Sequence, residues 1–448
     1  MTSPPPIEPE ALAQLFGRLP AGHRVALAVS GGGDSTALMV LFAEWLSARA
    51  LSPAEVLVLT VDHGLRLNSG AEAQWVARLA TTLGYRHAIL PWLGPKPVTG
   101  IQAAARAARY GLLAQAMYAA GRDHLLTAHT ADDQAETLLM RLARGSGLDG
   151  LAAMAPLTPL EVPLAGGATV VLARPLLGVT KARLEAALVR RGIGWLDDSS
   201  NTAARFERSR LRAAAETLAA LGLSADKLGL SARRLQRARA ALEAAVAAFC
   251  SAEAGHYRVD ALGYIAIDRA AWRRLPDDLA LRVLVKAIAA AGGTPSPVPL
   301  AKLERLGEVL AGSRRSGSWT LARTAIKLGP ERIIFEREPG RAPGPELILG
   351  AGQRALWDGR FWVAVGAKLD RPLAVRALGE CGLSQLNKDA SLPAAVSRQI
   401  MRGLPGFWQE TALLAVPSVR FPSEAVVRRY GLSAVFAPMA PPDLERLA

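Results

Sequence analysis

The first two hundred residues alternate short apolar stretches with longer segments of helical period. Residues 24–29 (RVALAV), 55–61 (EVLVLTV), 86–90 (RHAIL) and 123–127 (DHLLT) have strand length and character. Between them, 35–50, 70–84, 101–120 and 131–143 carry apolar residues at helical spacing, and a strand near 169–173 precedes a helix over 180–191. Strands alternating with helices predict βαβ units around a parallel sheet, an α/β fold with ligands at the carboxyl ends of the strands.

Beyond residue 213 the texture changes. Residues 214–292 are rich in Ala, Leu and Arg at helical spacing, and Pro276-Asp277-Asp278 reads as a helix start. Residues 318–337 read as two strands around Gly329-Pro330, and EPGRAPGPE (338–346) as a linker before short strands and turns. The expected organisation is a catalytic α/β domain over 1–213, a mainly helical basic domain over 214–337 ending in a hairpin, and a small α+β or β domain over 338–448.

Composition adds a partner class. The 448 residues carry a formal charge of +14, and a protein this basic usually meets a polyanion, most often nucleic acid. Cys250 and Cys381 are the only cysteines, which excludes a disulfide framework or a zinc pair. The N-terminus lacks the basic and apolar regions of a secretion signal, and no run is long enough to span a bilayer. A cytoplasmic protein without a membrane partner is expected.

The chemistry starts at SGGGDS, Ser30 to Ser35, between a buried strand and a helix. Gly31, Gly32 and Gly33 allow a tight turn that brings amide groups close to an anion, and the helix beginning near Ser35 adds its partial positive charge. Asp34 sits badly beside phosphates unless a cation intervenes, so Mg²⁺ is implied. A merely tight βα turn is the bland reading, but the serines and aspartate at this spacing argue against it. The loop lacks the lysine of a Walker motif.

In TAHTADDQAET, His129, Asp133 and Glu136 are spaced to share one side of a turn running into a helix. Carboxylates there suit Mg²⁺ or a proton, and the histidine suits phosphate contact or proton transfer; the competing reading is a solvated helix face capped by Asp132. VDHGLR places Asp62, His63 and Arg66 at the same sheet edge, and the 103–113 stretch offers Arg106 and Arg109. Residues 173–212 add Arg174 and Lys181, then Asp197, Asp198, Asn201 and the cluster Arg205, Arg208, Arg210 and Arg212.

The glycine loop resembles the PP-loop of ATP pyrophosphatases, which cleave ATP between the α and β phosphates. In order, SGGGDS, VDHGLR, ARAARY, AHTADDQAET, RGSG, RPLL and WLDDSSN…RSRLR resemble the tRNA(Ile)-lysidine synthase family, densely over 24–213 and loosely beyond, where WDGRF (357–361) is one scattered match. That resemblance implies adenylation of the C2 oxygen of the wobble cytidine of tRNA(Ile) with a CAU anticodon, then displacement of AMP by the ε-amine of free L-lysine. It also implies ATP-binding roles for Ser30, Gly31, Gly32, Gly33, Asp34, Ser35, Asp62, His63 and Arg106, with Asp34 and Asp133 at Mg²⁺. Asp34, His129, Asp133 and Glu136 become the catalytic set, with Glu136 or His129 positioning or deprotonating the lysine.

Arg205, Arg208, Arg210, Arg212, Arg233 and Arg234, with Arg237, Arg239, Arg314, Arg315, Arg323 and Lys327, are expected on tRNA; a homodimer is left open. Two positions depart from the family pattern: Thr130 replaces a second histidine and Ser209 replaces an asparagine. A tRNA thiolase of the same superfamily is the alternative, disfavoured by the absence of spaced cysteines; a PP-loop amidating synthetase lacks a visible glutaminase region, and a non-catalytic tRNA- or nucleotide-binding protein would not need the acidic set.

Overall fold

The computed structural model describes residues 7–437 except 21–23, 66–67, 95, 98, 161, 163–168, 197–206, 294–297, 313–315, 339, 341–343 and 387–395. Arg66, Asp197, Asp198, Asn201, Arg205, Arg314 and Arg315 therefore lie outside the described residues, as does the side chain of Ser209. The chain divides into two compact units, with the boundary between Ala240 and Ala241.

The first unit opens with α1 (Pro9–Phe16), β1 (Val25–Ala28), α2 (Gly33–Ala48), β2 (Leu57–Asp62), α3 (Ser69–Thr82), β3 (Arg86–Pro91) and α4 (Ile101–Ala119). It continues with β4 (His124–Leu126), α5 (Ala131–Ala143), α6 (Leu148–Leu151), β5 (Leu157–Leu160), β6 (Val170–Ala173) and α7 (Lys181–Arg190). Then come α8 (Glu207–Ala213), α9 (Ala215–Ala220) and α10 (Ala225–Cys250), the last running past the unit boundary. The sheet order is β3-β2-β1-β4-β6-β5, parallel except for the edge strand β5.

Strands β1, β4 and β6 are buried along almost their whole length and, His124 apart, apolar, as a parallel sheet covered on both faces requires. Side-chain alternation divides them between two cores. Val25 and Leu27 pack with α2, α3 and α7 through Phe42, Val76 and Leu184. Ala26 and Leu125 face Leu113 and Met117 of α4 on the other side. The predicted α/β architecture is thus observed, with β5 added: its LTPL sequence carries a proline, which an edge strand tolerates.

The order of the strands matters for function. From β1 the chain moves outward through β2 and β3, then returns to place β4 on the opposite side of β1. The loops leaving β1 and β4 consequently diverge and open a crevice at the carboxyl end of the sheet, the place where open α/β sheets bind ligands.

In the second unit, β7 (Tyr257–Val259), β8 (Ile265–Asp268), α11 (Arg269–Trp272), α12 (Asp277–Gly292) and α13 (Leu300–Ala311) precede β9 (Gly317–Leu321), β10 (Thr324–Leu328) and β11 (Arg332–Arg337). These strands form an antiparallel sheet, β7-β8-β11-β10-β9, whose core includes Val283 and Leu284 of α12 and Leu303 of α13. The region read as helical is interrupted by β7 and β8, and the expected two-strand hairpin has a third member, β9. Later strands, β12 (Leu347–Leu349) to β18 (Ser433–Phe436), build a four-stranded and a three-stranded sheet.

The WDGRF segment serves this unit's structure. Asp358 accepts hydrogen bonds from Arg323 at 2.7 Å and from Arg337 and Arg360 at 2.9 Å. Buried guanidinium and carboxylate satisfy each other there, a requirement for keeping charge inside a protein. Among the described residues, no helix is long and apolar enough to cross a membrane.

Candidate active site

The glycine loop is braced from behind and open in front. Gly31 adopts φ 90°, and its carbonyl accepts the Leu196 amide at 2.9 Å and the Thr36 hydroxyl at 3.1 Å. That φ strains any side chain, and a Cβ at Gly31 would also lie 2.8 Å from Leu196 Cδ1. Ser35 Oγ donates to the Gly32 carbonyl at 2.9 Å and accepts the Ser30 amide at 3.2 Å. Gly32 occupies the N-cap of α2 without any side chain capping the first turn. The carbonyls are thus engaged while the start of α2 presents amides, an arrangement suited to phosphate.

Asp34, in that first turn, is half-buried, and its Oδ1 is a buried oxygen with no hydrogen-bond partner. Burial pushes its carboxyl up to about 6; the Lys181 ammonium opposes this, and the charge of Asp133 adds to it. A buried carboxylate oxygen without a donor suits a cation. Among the described residues no group of three or more His, Cys, Asp or Glu forms a metal cage. Mg²⁺ commonly relies on one or two carboxylates plus phosphate oxygens, so this donor set fits it.

Across the crevice, α5 presents the second group. Thr130, not Asp132, caps the helix: its Oγ1 accepts the Asp133 amide at 3.3 Å, while Asp133 Oδ2 accepts the Thr130 amide at 2.9 Å and its hydroxyl at 3.0 Å. This reciprocal box fixes Asp133 at the helix entrance. Asp132 turns to the neighbouring element and accepts the Lys181 amide at 2.7 Å, while the Ala131 amide bonds the Val179 carbonyl at 2.9 Å. These two bonds tie the start of α7, and with it Lys181, to the start of α5.

His129 is half-buried, with Nδ1 2.9 Å from Thr127 Oγ1. Burial drives its pKa down to about 4; Asp133 opposes the shift, and the charges of Arg174, Arg106 and Arg208 reinforce it. The ring is neutral at pH 7. Glu136 is buried, and burial raises its carboxyl against the opposing Arg212, whose Nε donates to Oε1 at 2.6 Å. Arg174 is also buried, its Nη1 held by the Ala155 carbonyl and Thr158 Oγ1, both at 2.7 Å.

The structure thus gathers Ser30–Ser35, His129, Asp133, Glu136, Lys181 and the charge of Arg106, which is exposed and lies over the Tyr110 ring. Asp62, His63 and Arg109 form their own group at the end of β2. Asp62 accepts the Gly64 amide at 2.9 Å, and Arg109 Nη2 lies 3.1 Å from His63 Nε2. Arg208 and Arg210 are exposed, as are Arg233, Arg234 and Arg237; Arg239 pairs with Asp149 at 3.3 Å.

Sequence reasoning passed over Trp195, which lines Gly33, and Leu196, which braces Gly31. The pair WL stood beside the noted acidic residues, and two large apolar residues before a polar run were the available signal. Thr127 ends a strand and opens the TAHTADDQAET stretch, but its spacing alone does not mark it as a partner of His129.

The PP-loop domain family model matches residues 7–217. The tRNA(Ile)-lysidine synthase of Bradyrhizobium diazoefficiens is 46% identical over 328 residues, covering 72% of this chain and 88% of the relative. That of Ruegeria pomeroyi is 38% identical over 399 residues, covering 88% of each chain. Among solved structures, the U34-tRNA thiolase NcsA from Methanococcus maripaludis is 17% identical with a TM-score of 0.43, covering 51% of this chain and 77% of that one.

Proposed function

The chain belongs to the tRNA(Ile)-lysidine synthase family, ATP-using ligases that modify tRNA, and from that premise we propose its full reaction and the residues that carry it. ATP adenylates the C2 oxygen of the wobble cytidine in tRNA(Ile) with a CAU anticodon, releasing pyrophosphate. The ε-amine of L-lysine then attacks C2 and expels AMP. A carbonyl oxygen is a poor leaving group against an amine, and the adenylate makes it a good one.

The amides at Gly31–Gly33 and the hydroxyls of Ser30 or Ser35 hold the pyrophosphate as charge develops on it. Lys181, whose charge already acts on Asp34, supplies the cation that the glycine loop lacks. Asp34 and Asp133 would hold Mg²⁺, which when bound neutralises phosphate charge. Arg106 neutralises phosphate from the side of α4. His129, neutral at pH 7, orients the incoming amine, and Glu136 accepts its proton, since only the free amine attacks.

Residues 1–213 form the catalytic part in this reading, 214–337 bind the tRNA body, and 338–448 reach its acceptor side. A cytidine in an anticodon loop leaves its stack at modest cost to enter such a crevice. The reaction takes place in the cytoplasm, where the tRNA substrate is.

The observation that carries this reading is the meeting, at the sheet's switch point, of an unpartnered Asp34 oxygen with the group on α5. Mass spectrometry of CAU-anticodon tRNA(Ile) after incubation with protein, ATP, Mg²⁺ and lysine tests it. A lysine-dependent mass gain with AMP and pyrophosphate is expected, and Asp34→Ala abolishes both. Release of ADP and orthophosphate instead would remove the proposal.

A further inference from the structure

Thr127 stands one residue beyond β4 and is buried. Its amide donates to the Ala173 carbonyl at 2.9 Å and extends the ladder to β6. Its hydroxyl has two further neighbours, the same Ala173 carbonyl at 3.5 Å and His129 Nδ1 at 2.9 Å. A hydroxyl has one proton to give and lone pairs to accept with, and a neutral imidazole has one N–H and one bare nitrogen.

Both contacts are hydrogen bonds in only one arrangement. The Thr127 proton goes to Ala173, a carbonyl that can only accept, and the Thr127 oxygen then receives a proton from Nδ1. The reverse choice, hydroxyl to Nδ1, satisfies only one of the two contacts and leaves the Ala173 carbonyl with the Thr127 amide alone. The surroundings of the ring favour the same choice. Arg174 beyond β6, Arg106 on α4 and Arg208 on α8 all act on it, opposed by the carboxylate of Asp133 on α5. Guanidinium groups only donate, so a bare Nε2 can meet them or an incoming ammonium, whereas an Nε2–H would oppose them.

We propose that Thr127 is a positioning residue that holds His129 in its Nδ1–H tautomer, so that Nε2 enters the crevice as a hydrogen-bond acceptor. The tautomer of a histidine is set by the bond its other nitrogen makes. The identity of the donor that Nε2 meets, the ε-ammonium of lysine, rests on the proposed reaction; the tautomer does not.

Nitrogen-15 NMR of histidine-labelled full-length protein tests the tautomer directly, with His129→Gln used to assign the resonances. In the unsubstituted protein, the Nδ1 resonance is expected in the protonated range and that of Nε2 in the unprotonated range. Thr127→Val, of equal shape but without the hydroxyl, is expected to move the proton toward Nε2, and Thr127→Ser to return it to Nδ1. The lysine-transfer rate of the valine variant is expected to fall about tenfold, the scale of one misdirected hydrogen bond to the amine, and to recover in the serine variant. An unsubstituted protein with its proton on Nε2 overturns the proposal, as does an unchanged tautomer in the valine variant. Loss of lysine transfer from the unsubstituted protein would instead remove the proposed reaction and leave the tautomer measurement intact.

Discussion

Asp34 shows what a single residue concedes to function. Its ordinary pKa is about 3.9, and burial lifts the folded value to about 6. The native state therefore disfavours the charge that a cation site needs. For a carboxyl raised on folding, the associated stability is present below about pH 4 and is lost as pH rises through 6. Asp34→Asn keeps the shape without the charge. In the absence of nucleotide it should stabilise the protein by about 1–2 kcal/mol at pH 8, allowing for solvent screening at a half-buried group, and by nothing at pH 4. The same variant should lose the extra thermal stability that ATP with Mg²⁺ confers. Thermal melts at the two pH values, with and without nucleotide, measure both effects; equal melts at pH 8 would contradict the buried-charge account. The residue itself was legible in SGGGDS, but its environment was not, because Lys181 and Asp133 come from about a hundred residues or more further along the chain. Arg212 was expected on tRNA from its place in a basic cluster, yet in the structure it donates to Glu136, a pairing across 76 positions that no local pattern announces.

At the scale of elements, α5 explains why threonine can stand at position 130, where the family pattern has a second histidine. Thr130 is a good N-cap residue, and its exchange with Asp133 satisfies two amides at the helix entrance. Thr130→Ala should cost about 1 kcal/mol of stability, the usual effect of removing such a cap, and Thr130→Ser almost none. Urea denaturation of the two variants measures this, and an alanine variant as stable as the serine one would show that the box contributes nothing. The helices and parallel strands of the first unit were legible because period and turn chemistry agree there. Strand β9 was not, because the bend before β10 is made by Ala322 and Arg323, both in the left-handed region. Such two-residue turns usually announce themselves by Asn or Gly; the Gly329-Pro330 bend between β10 and β11 does carry that signal and was read from it.

At the scale of the whole molecule, the +14 charge is not uniformly available to a polyanion. Arg360 is buried against Asp358, Arg174 is buried beneath the crevice, and Arg191 is engaged by Glu44 at 2.7 Å. These cations serve the fold, which is why a count of arginines could suggest nucleic acid without locating it. Of the arginines expected on tRNA, Arg208 and Arg210 on α8 and Arg233, Arg234 and Arg237 on α10 are exposed in the first unit, although Arg208 Nε also lies 4.0 Å from Glu136 Oε2. Each contact with a tRNA phosphate releases condensed counterions, so binding weakens with salt in proportion to the contacts made, with a log–log slope of about 0.7–0.9 per phosphate. Replacing Arg233 and Arg234 together by glutamine should flatten that slope by between about one and two units if both meet phosphate. The KM for ATP should not move, because neither residue borders the glycine loop. Filter-binding titrations of tRNA from low to moderate salt read the slope directly. A double variant whose slope equals that of the unsubstituted protein would return these two arginines to ordinary solvated surface and shift the search to the arginines of α8.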